Sequence, residues 1–258
     1  MTRNNFPKLL SDISLFHVGT SLIASDAGII ATSQGLKSLS PLKPISSGVA
    51  STLVKRYTGK FNRYSEAKMS QPNYIHALAL PEGGELDPEM ERYLNVCQEK
   101  LGMVPNVLKT YTFNGEKLKV FVNFYNDLML ADSKLSKLER EMIAVVVSSI
   151  NNCFYCLVAH GAAVRQLSGD PVLGELLVMN YRVAELTGRQ RAMLDFAAKL
   201  TESPNEIEES DRQALRDVGL GDEEIFDVAA VAGFFNMTNR VASGIDMMPN
   251  KEYHSQAR

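Results

Sequence analysis

The residues able to do chemistry are gathered in one stretch, in the order Glu141, Cys153, Cys156 and His160. They fall within KLEREMIAVVVSSINNCFYCLVAHGAAVRQL, residues 137–167. Its pattern predicts two helices meeting at Asn151-Asn152, where asparagine can end the first helix and cap the second. Cys153 then lies in the first turn of the second helix, Cys156 one turn later and His160 a turn beyond. Spacings of three, four and seven residues share one helical face, so two thiols and an imidazole can converge.

Such a trio suits thiolate chemistry. A thiol with pKa near 8.5 is only about 3% ionised at pH 7. Lowering that value by about two units makes it roughly three-quarters thiolate and takes about 2.7 kcal/mol. A helix N-terminus supplies about 0.3–1 kcal/mol, at best about 2, so the dipole alone falls short. An imidazole that takes the proton and stays as the cation can supply the rest, and His160 follows Cys156 by four residues. Glu141 lies three residues after Leu138 and four before Val145, on an inward stripe of the preceding helix. A carboxylate there can orient His160 or hold a bridging water. Spacing leaves open whether the two helices cross so as to bring Glu141 to the thiols.

Each residue also has a structural reading. A CxxC pair can be half of a zinc site, whose remaining ligands after His160 would come from Cys97, His76, His254 or a carboxylate. No second close pair of ligands is present in the sequence. A lone histidine is commonly a satisfied core residue, and Glu141 reads equally as a solvated first-turn charge. Cys97, amid Tyr93, Leu94 and Leu101, reads as a buried apolar residue. Tyr155, Phe154, Phe234 and Phe235 read as core. The combination of four groups points to a thiol oxidoreductase, with no metal site expected.

The elements that must position these groups are helical. Asp87-Pro88 places a cap and a first-turn proline before Glu89–Leu101, and Gly102 stops that helix. Pro105 opens a second short helix and Asn114-Gly115 turns the chain. Glu116–Leu130 then carries Leu118, Phe121, Val122 and Tyr125 on one stripe. Ser136 with Glu139, Thr187 with Gln190 and Ser203 with Glu206 have capping-box spacing. Asp170-Pro171 and Ser203-Pro204 repeat the cap-then-proline signal. A last helix from about Asp222 to Ala242 has Ile225, Val228, Ala232 and Phe235 on its inner face. No alternating segment bounded by hairpin turns occurs, so the fold class is all-α, with helices of about 10–20 residues.

Composition narrows the function classes. The chain has 258 residues, 45% hydrophobic and 22% charged, with a formal net charge of −3. That is an ordinary globular composition with no overall positive field to draw in nucleic acid. Three cysteines do not make a secreted disulfide framework, which points to a reducing compartment and a cytoplasmic location. No run approaches the roughly 18–20 apolar residues a membrane span needs. The first 68 residues hold nine basic and three acidic residues and much serine, without sustained periodicity. This extension reads as a disordered segment, as a transit peptide to the mitochondrial matrix, or as a start placed upstream of Met69. A helical domain is expected over 69–258, with its CxxC core at about 131–250.

At Glu141, Cys153, Cys156 and His160 the sequence resembles the alkylhydroperoxidase D-like branch of the carboxymuconolactone decarboxylase superfamily. That pattern is a glutamate, eleven intervening residues, CxxC, three residues and a histidine, and all four positions fit. The text LSKLEREMIAVVVSSINNCFYCLVAHGAAVRQLSGDP further resembles a subgroup of peroxidase-related proteins. So do MVPNVLK, YRVAELTGRQRAMLDFAAKLT and FFNMTNRVASGIDMMPNKEYHSQAR, and the likeness covers residues 69–258. The resemblance implies an all-helical fold, trimers or hexamers, and reduction of hydroperoxides by a dithiol–disulfide cycle. It implies an external dithiol or protein electron donor and no haem, flavin or metal cofactor.

On this reading Cys156, next to His160, attacks the peroxide, and Cys153 condenses with the sulfenic acid and meets the reductant as the more accessible thiol. The reverse order stays open, since residues at a helix start are commonly more exposed. One departure stands out: the prototypes carry a histidine before the second cysteine, where this chain has Tyr155, a poor base at neutral pH. Three rival readings are a protein-disulfide reductase or redox adaptor, a decarboxylase-like enzyme of the superfamily, and a zinc-stabilised helical module.

Overall fold

The run Met142–Val147 is apolar on every side of a helix, so it must be covered from all directions. The structure, a computed structural model, describes residues 71–258, and the expectations for the first 68 residues lie outside the described residues. Nine α-helices follow one another among the described residues, with no strand. They are α1 (Pro88–Leu101), α2 (Asn106–Tyr111), α3 (Gly115–Leu130), α4 (Lys137–Ile150) and α5 (Phe154–Ser168). After them come α6 (Pro171–Asn180), α7 (Gly188–Glu202), α8 (Glu209–Asp217) and α9 (Asp222–Gly244). The all-α expectation holds, though lengths run from 6 residues in α2 to 23 in α9. None of these helices is long and apolar enough to cross a membrane.

Helix α4 is the axis, and α5, α6, α7 and α9 pack around it. Every side chain from Glu139 to Ser148 is buried, although three consecutive valines are weak helix formers. Burial outweighs propensity, since each fully buried aliphatic side chain contributes about 1.5–3 kcal/mol. The helix starts at the expected capping box: Ser136 Oγ accepts from the Glu139 N–H at 3.1 Å, and Glu139 Oε2 accepts from the Ser136 N–H at 2.8 Å. One residue on, the buried Arg140 reaches back to the open end of α3. Its Nη1 donates to the carbonyls of Leu128 at 3.1 Å and Ala131 at 2.9 Å, orphaned acceptors at a helix C-terminus.

Two local expectations are corrected. Asn114-Gly115 is not a free turn: Asn114 caps α3 through its side chain, accepting from the Lys117 N–H, and Gly115 is the first helical residue. Ser203 and Glu206 form no capping box. Ser203 ends α7, and the Glu206 N–H bonds its carbonyl at 2.9 Å in a single 3-10 turn. The next helix opens at Glu209, where Asp211 accepts the Glu208 N–H instead.

A C-terminal strap, residues 245–258, runs back over the ends of α2 and α5. Asn106 bonds Asn250 Oδ1 through its backbone N–H and the Met248 carbonyl through its amide. Arg165 of α5, 5% exposed, has no carboxylate partner among the described residues. It donates from Nε to the Gln256 carbonyl at 3.1 Å and from Nη2 to the Tyr253 carbonyl at 3.0 Å. Gly174 makes room for it: a Cβ there would come within 3.0 Å of the Gly161 carbonyl and 3.1 Å of Arg165 Cγ.

Candidate active site

The turn between α4 and α5 sets the position of both sulfurs. Asn151 ends α4, Asn152 takes a left-handed conformation (φ 53°), and Cys153 is extended (φ −82°, ψ 101°). Asparagine tolerates the left-handed region better than most residues, which suits this residue type to the turn. The expectation that asparagine caps α5 is corrected, because Cys153 itself is the N-cap and makes no full side-chain capping bond. Its N–H donates to the Ser148 carbonyl at 3.0 Å, which tucks it under the helix start among Ala242 and Met247. Cys153 is therefore 1% exposed and Cys156 3%, and the expected greater accessibility of Cys153 is not found. The two thiols are unbridged.

Helices α4 and α5 do cross so as to bring Glu141 to the site. Glu141 Oε2 lies 2.6 Å from His160 Nδ1, with both side chains largely buried. A carboxylate on Nδ1 fixes a proton there and leaves Nε2 as the nitrogen for proton transfer. The edge-on Phe235 ring, 4.6 Å between centroids, packs against the imidazole and limits its rotation.

The sulfurs share protons unequally. The Cys153 thiol is pulled down from its ordinary value of 9.0 to about 6, chiefly because the Cys156 S–H points at it. The Cys156 N–H, the Ser243 hydroxyl and His160 pull the same way, while burial pushes back. Cys156 is pushed well above 9.0 by donating to Cys153 and by burial, against the pull of Asn239 and Ser148. Sequence reasoning placed the ionised sulfur at Cys156 beside His160, whereas the contacts around the pair favour ionisation of Cys153.

Access falls on the other sulfur. A cavity of about 430 Å³ is lined by Glu141, Cys156 and His160 but not by Cys153. Its walls are mostly apolar, from α1, α3, α5 and α9, and the strap contributes Met247 and Tyr253. Tyr155 lines it too, but its hydroxyl oxygen accepts from the Val107 N–H at 3.1 Å and burial drives its pKa up. It pins the first turn of α2 and is no base. Phe234 and Phe235 are both core and cavity wall, whereas Phe154 is exposed. Cys97 is corrected from fully buried to half-buried in the cavity wall, with its thiol raised by burial. Among the described residues no three His, Cys, Asp or Glu side chains are grouped to hold a metal ion.

Sequence reasoning missed Ser148, Asn239 and Ser243. Asn239 was legible, since it lies four residues after Phe235 on the inner stripe of α9, where a polar side chain asks for a partner. Ser148 is the first polar residue after the apolar run of α4. Ser243 carries no comparable signal.

Comparison with known proteins identifies the family. A sequence model of the carboxymuconolactone decarboxylase family matches residues 116–199. No curated protein matches the chain. Among solved structures, an uncharacterized peroxidase-related protein from Silicibacter sp. TM1040 is 68% identical, with TM-score 0.71 over 74% of this chain and 100% of its own. A second, described as an alkylhydroperoxidase AhpD core and peroxidase-related protein from Ralstonia eutropha JMP134, is 39% identical. Its TM-score is 0.69, over 73% of this chain and 98% of its own. The debrominase Bmp8 shares the fold at 17% identity and TM-score 0.58, over 73% of this chain and 98% of its own. With near-complete coverage of relatives this similar, the chain belongs to the carboxymuconolactone decarboxylase family, within its alkylhydroperoxidase-like, peroxidase-related group.

Proposed function

We propose that the chain reduces organic hydroperoxides with Cys153 and Cys156 as a dithiol–disulfide pair. The observation that carries this reading is the apolar cavity leading to Cys156 past the hydrogen-bonded Glu141–His160 pair. In the proposed cycle the Cys156 proton passes to Cys153 along the S–H···S contact, leaving a thiolate on the sulfur that faces the cavity. That thiolate attacks the terminal peroxide oxygen and the O–O bond breaks. The hydroxyl stays on Cys156 as a sulfenic acid, and the departing alkoxide takes a proton from Nε2 of His160, whose Nδ1 is bonded to Glu141. The Cys153 thiol then condenses with the sulfenic acid, forming the disulfide and releasing water. A small external dithiol entering by the cavity attacks Cys156 and restores the pair by exchange, becoming a disulfide itself.

The lowered pKa of Cys153 also fits a protein-disulfide reductase, but 1% and 3% exposure of the two sulfurs favours a small substrate over a folded one. One equivalent of cumene hydroperoxide added to the reduced protein tests the choice. Two of the three thiols should disappear, with a bond between Cys153 and Cys156 and Cys97 left free. Unchanged thiols, alongside rapid reduction of an added protein disulfide, would assign the chain to disulfide exchange instead.

A further inference from the structure

A polar cluster adjoins Cys156, and its central pair is shut off from water and does not line the cavity. Ser148, at the end of α4, is 0% exposed, and Asn239 of α9 is 1% exposed. Asn239 Nδ2 donates to Ser148 Oγ at 3.0 Å, while its Oδ1 accepts from Asn151 Nδ2 at 2.9 Å. The Asn151 amide is tied in turn to Asn236 Oδ1 at 3.0 Å, and Asn236 donates to Thr201 at 3.0 Å. Ser148 is also fixed through its backbone, whose carbonyl takes the Cys153 N–H.

A count of donors and acceptors shows what this cluster is built to hold. An amide group has two N–H bonds, and Asn239 spends one on Ser148. A hydroxyl that accepts from Asn239 still has its own O–H to donate. Asn239 Oδ1 is turned the other way by Asn151, so the orientation of the amide is set by the network. Two donors therefore remain, buried and, among the described residues, without a protein oxygen or nitrogen to receive them. Asn239 stands on α9 between Phe235, packed on the His160 ring, and Ala242, packed in one cluster with Cys156, and Ser148 is tied to the Cys153 N–H, so both donors adjoin the Cys156 sulfur. Leaving a buried donor unmatched costs about 1–3 kcal/mol, so a cluster of this kind would be a liability unless the sulfur uses it.

We infer that Ser148 and Asn239 form a two-donor seat for negative charge on the Cys156 sulfur, with Asn151 holding the asparagine in orientation. The seat serves the thiolate that attacks the hydroperoxide. This role rests on Cys156 being the sulfur that meets substrate, whereas the charge-holding property stands apart from it. The titratable groups facing Cys156 from the surrounding elements are Cys153 at the start of α5, His160 on α5 and Glu141 on α4, with Tyr155 alongside and Tyr253 from the strap.

The test uses the full chain with Cys97→Ser and Cys153→Ser, in which Cys156 is the sole remaining thiol. Its ionisation is followed by thiolate ultraviolet absorbance against pH, with no hydroperoxide present, so the result is independent of whether the protein is a peroxidase. Adding Ser148→Ala, which removes one oxygen, should raise the midpoint by about one unit, the effect of losing one donor to a charged acceptor. Asn239→Leu, of similar shape, should raise it at least as far. Should Asn239→Leu fail to fold, Asn151→Ala keeps both donors but frees the amide and should give a smaller rise in the same direction. Midpoints within about 0.3 unit of the parent in folded Ser148→Ala protein overturn the assignment. If the midpoint rises but cumene hydroperoxide leaves the thiol untouched, the seat stands and the peroxidase reading falls.

Discussion

Replacing Cys156 by alanine should deprive Cys153 of its main source of acidity. The two values belong to a coupled pair, whose first proton leaves near pH 6 and whose second leaves well above 9. With a midpoint near 6, about nine-tenths of the pair is ionised at pH 7. A hydrogen bond to a charged group is worth about 1.5–3 kcal/mol, or one to two pKa units. Cys156→Ala keeps the backbone N–H, the Ser243 hydroxyl and His160, so the Cys153 midpoint should move to about 7–8. Thiolate at pH 7 then drops to roughly 10–50%. Absorbance titration in a Cys97→Ser background is the right assay, because a buried sulfur answers it without having to admit a reagent. Cys156→Ser, which retains an O–H donor, should fall between parent and alanine. The stability profile gives an independent check. Cys153 binds fewer protons folded than unfolded between pH 6 and 9, so its contribution is present above 9.0 and drains away as pH falls through 6. Urea midpoints should rise with pH across that window in the parent and rise less in Cys156→Ala. The penalty from the raised Cys156 pKa falls above pH 9 and does not blur the comparison. A Cys153 midpoint still near 6 in Cys156→Ala would refute the S–H contact as its cause.

Other perturbations follow from single contacts. Glu141→Gln removes the carboxylate that orients His160 through Nδ1, so stoichiometric oxidation by cumene hydroperoxide at pH 7 should slow about 10²-fold, measured by stopped-flow thiol loss, with little change in melting temperature. Arg165→Met leaves two strap carbonyls unbonded. It should lower stability by about 1–3 kcal/mol, and limited proteolysis should cut the chain after Tyr253. Ser136→Ala removes half of the box that starts α4 and should cost about 1 kcal/mol by denaturant titration.

The helical fold was legible because its signals are local. Asp87, Ser136, Asp170 and Thr187 each cap the helix their neighbours announce, and Gly102 and Gly169 end theirs in the left-handed conformation. The inner stripe of α9 was equally plain, with Ile225, Val228, Ala232 and Phe235 all buried. Failures occurred where two local signals compete. Ser203 fits both the end of one helix and the start of another, and the end won. Within the site, offsets along α5 placed Cys153, Cys156 and His160 on one face, but the closeness of Glu141 depends on how α4 crosses α5. That angle is a property of packing, which spacing along one helix does not contain. The burial of Cys153 was illegible for a related reason. A helix start is exposed by default, and this one is covered by Ala242 of α9 and Met247 of the strap, roughly ninety residues later in the chain.

The separation of resting charge from access sharpens the last question, which sulfur is oxidised first. Each sulfur has donors of its own: the Cys156 N–H and Ser243 hydroxyl for Cys153, and the Asn239 amide and Ser148 hydroxyl for Cys156. The position of the shared proton is therefore decided by two opposed sets of donors, and about 1.4 kcal/mol, less than one charged hydrogen bond, shifts it tenfold. A thiolate on Cys156 has donors placed to receive it, and a hydroperoxide in the cavity meets Cys156, which lines it, and not Cys153, which does not. Trapping the first oxidation product with a dimedone-type reagent separates the cases. In a Cys97→Ser background, the Cys153→Ser protein should form sulfenic acid at Cys156 on exposure to hydroperoxide. The Cys156→Ser protein should keep Cys153 reduced despite its low pKa. The opposite pattern would mean that ionisation outweighs access, and the cavity would then serve the reductant.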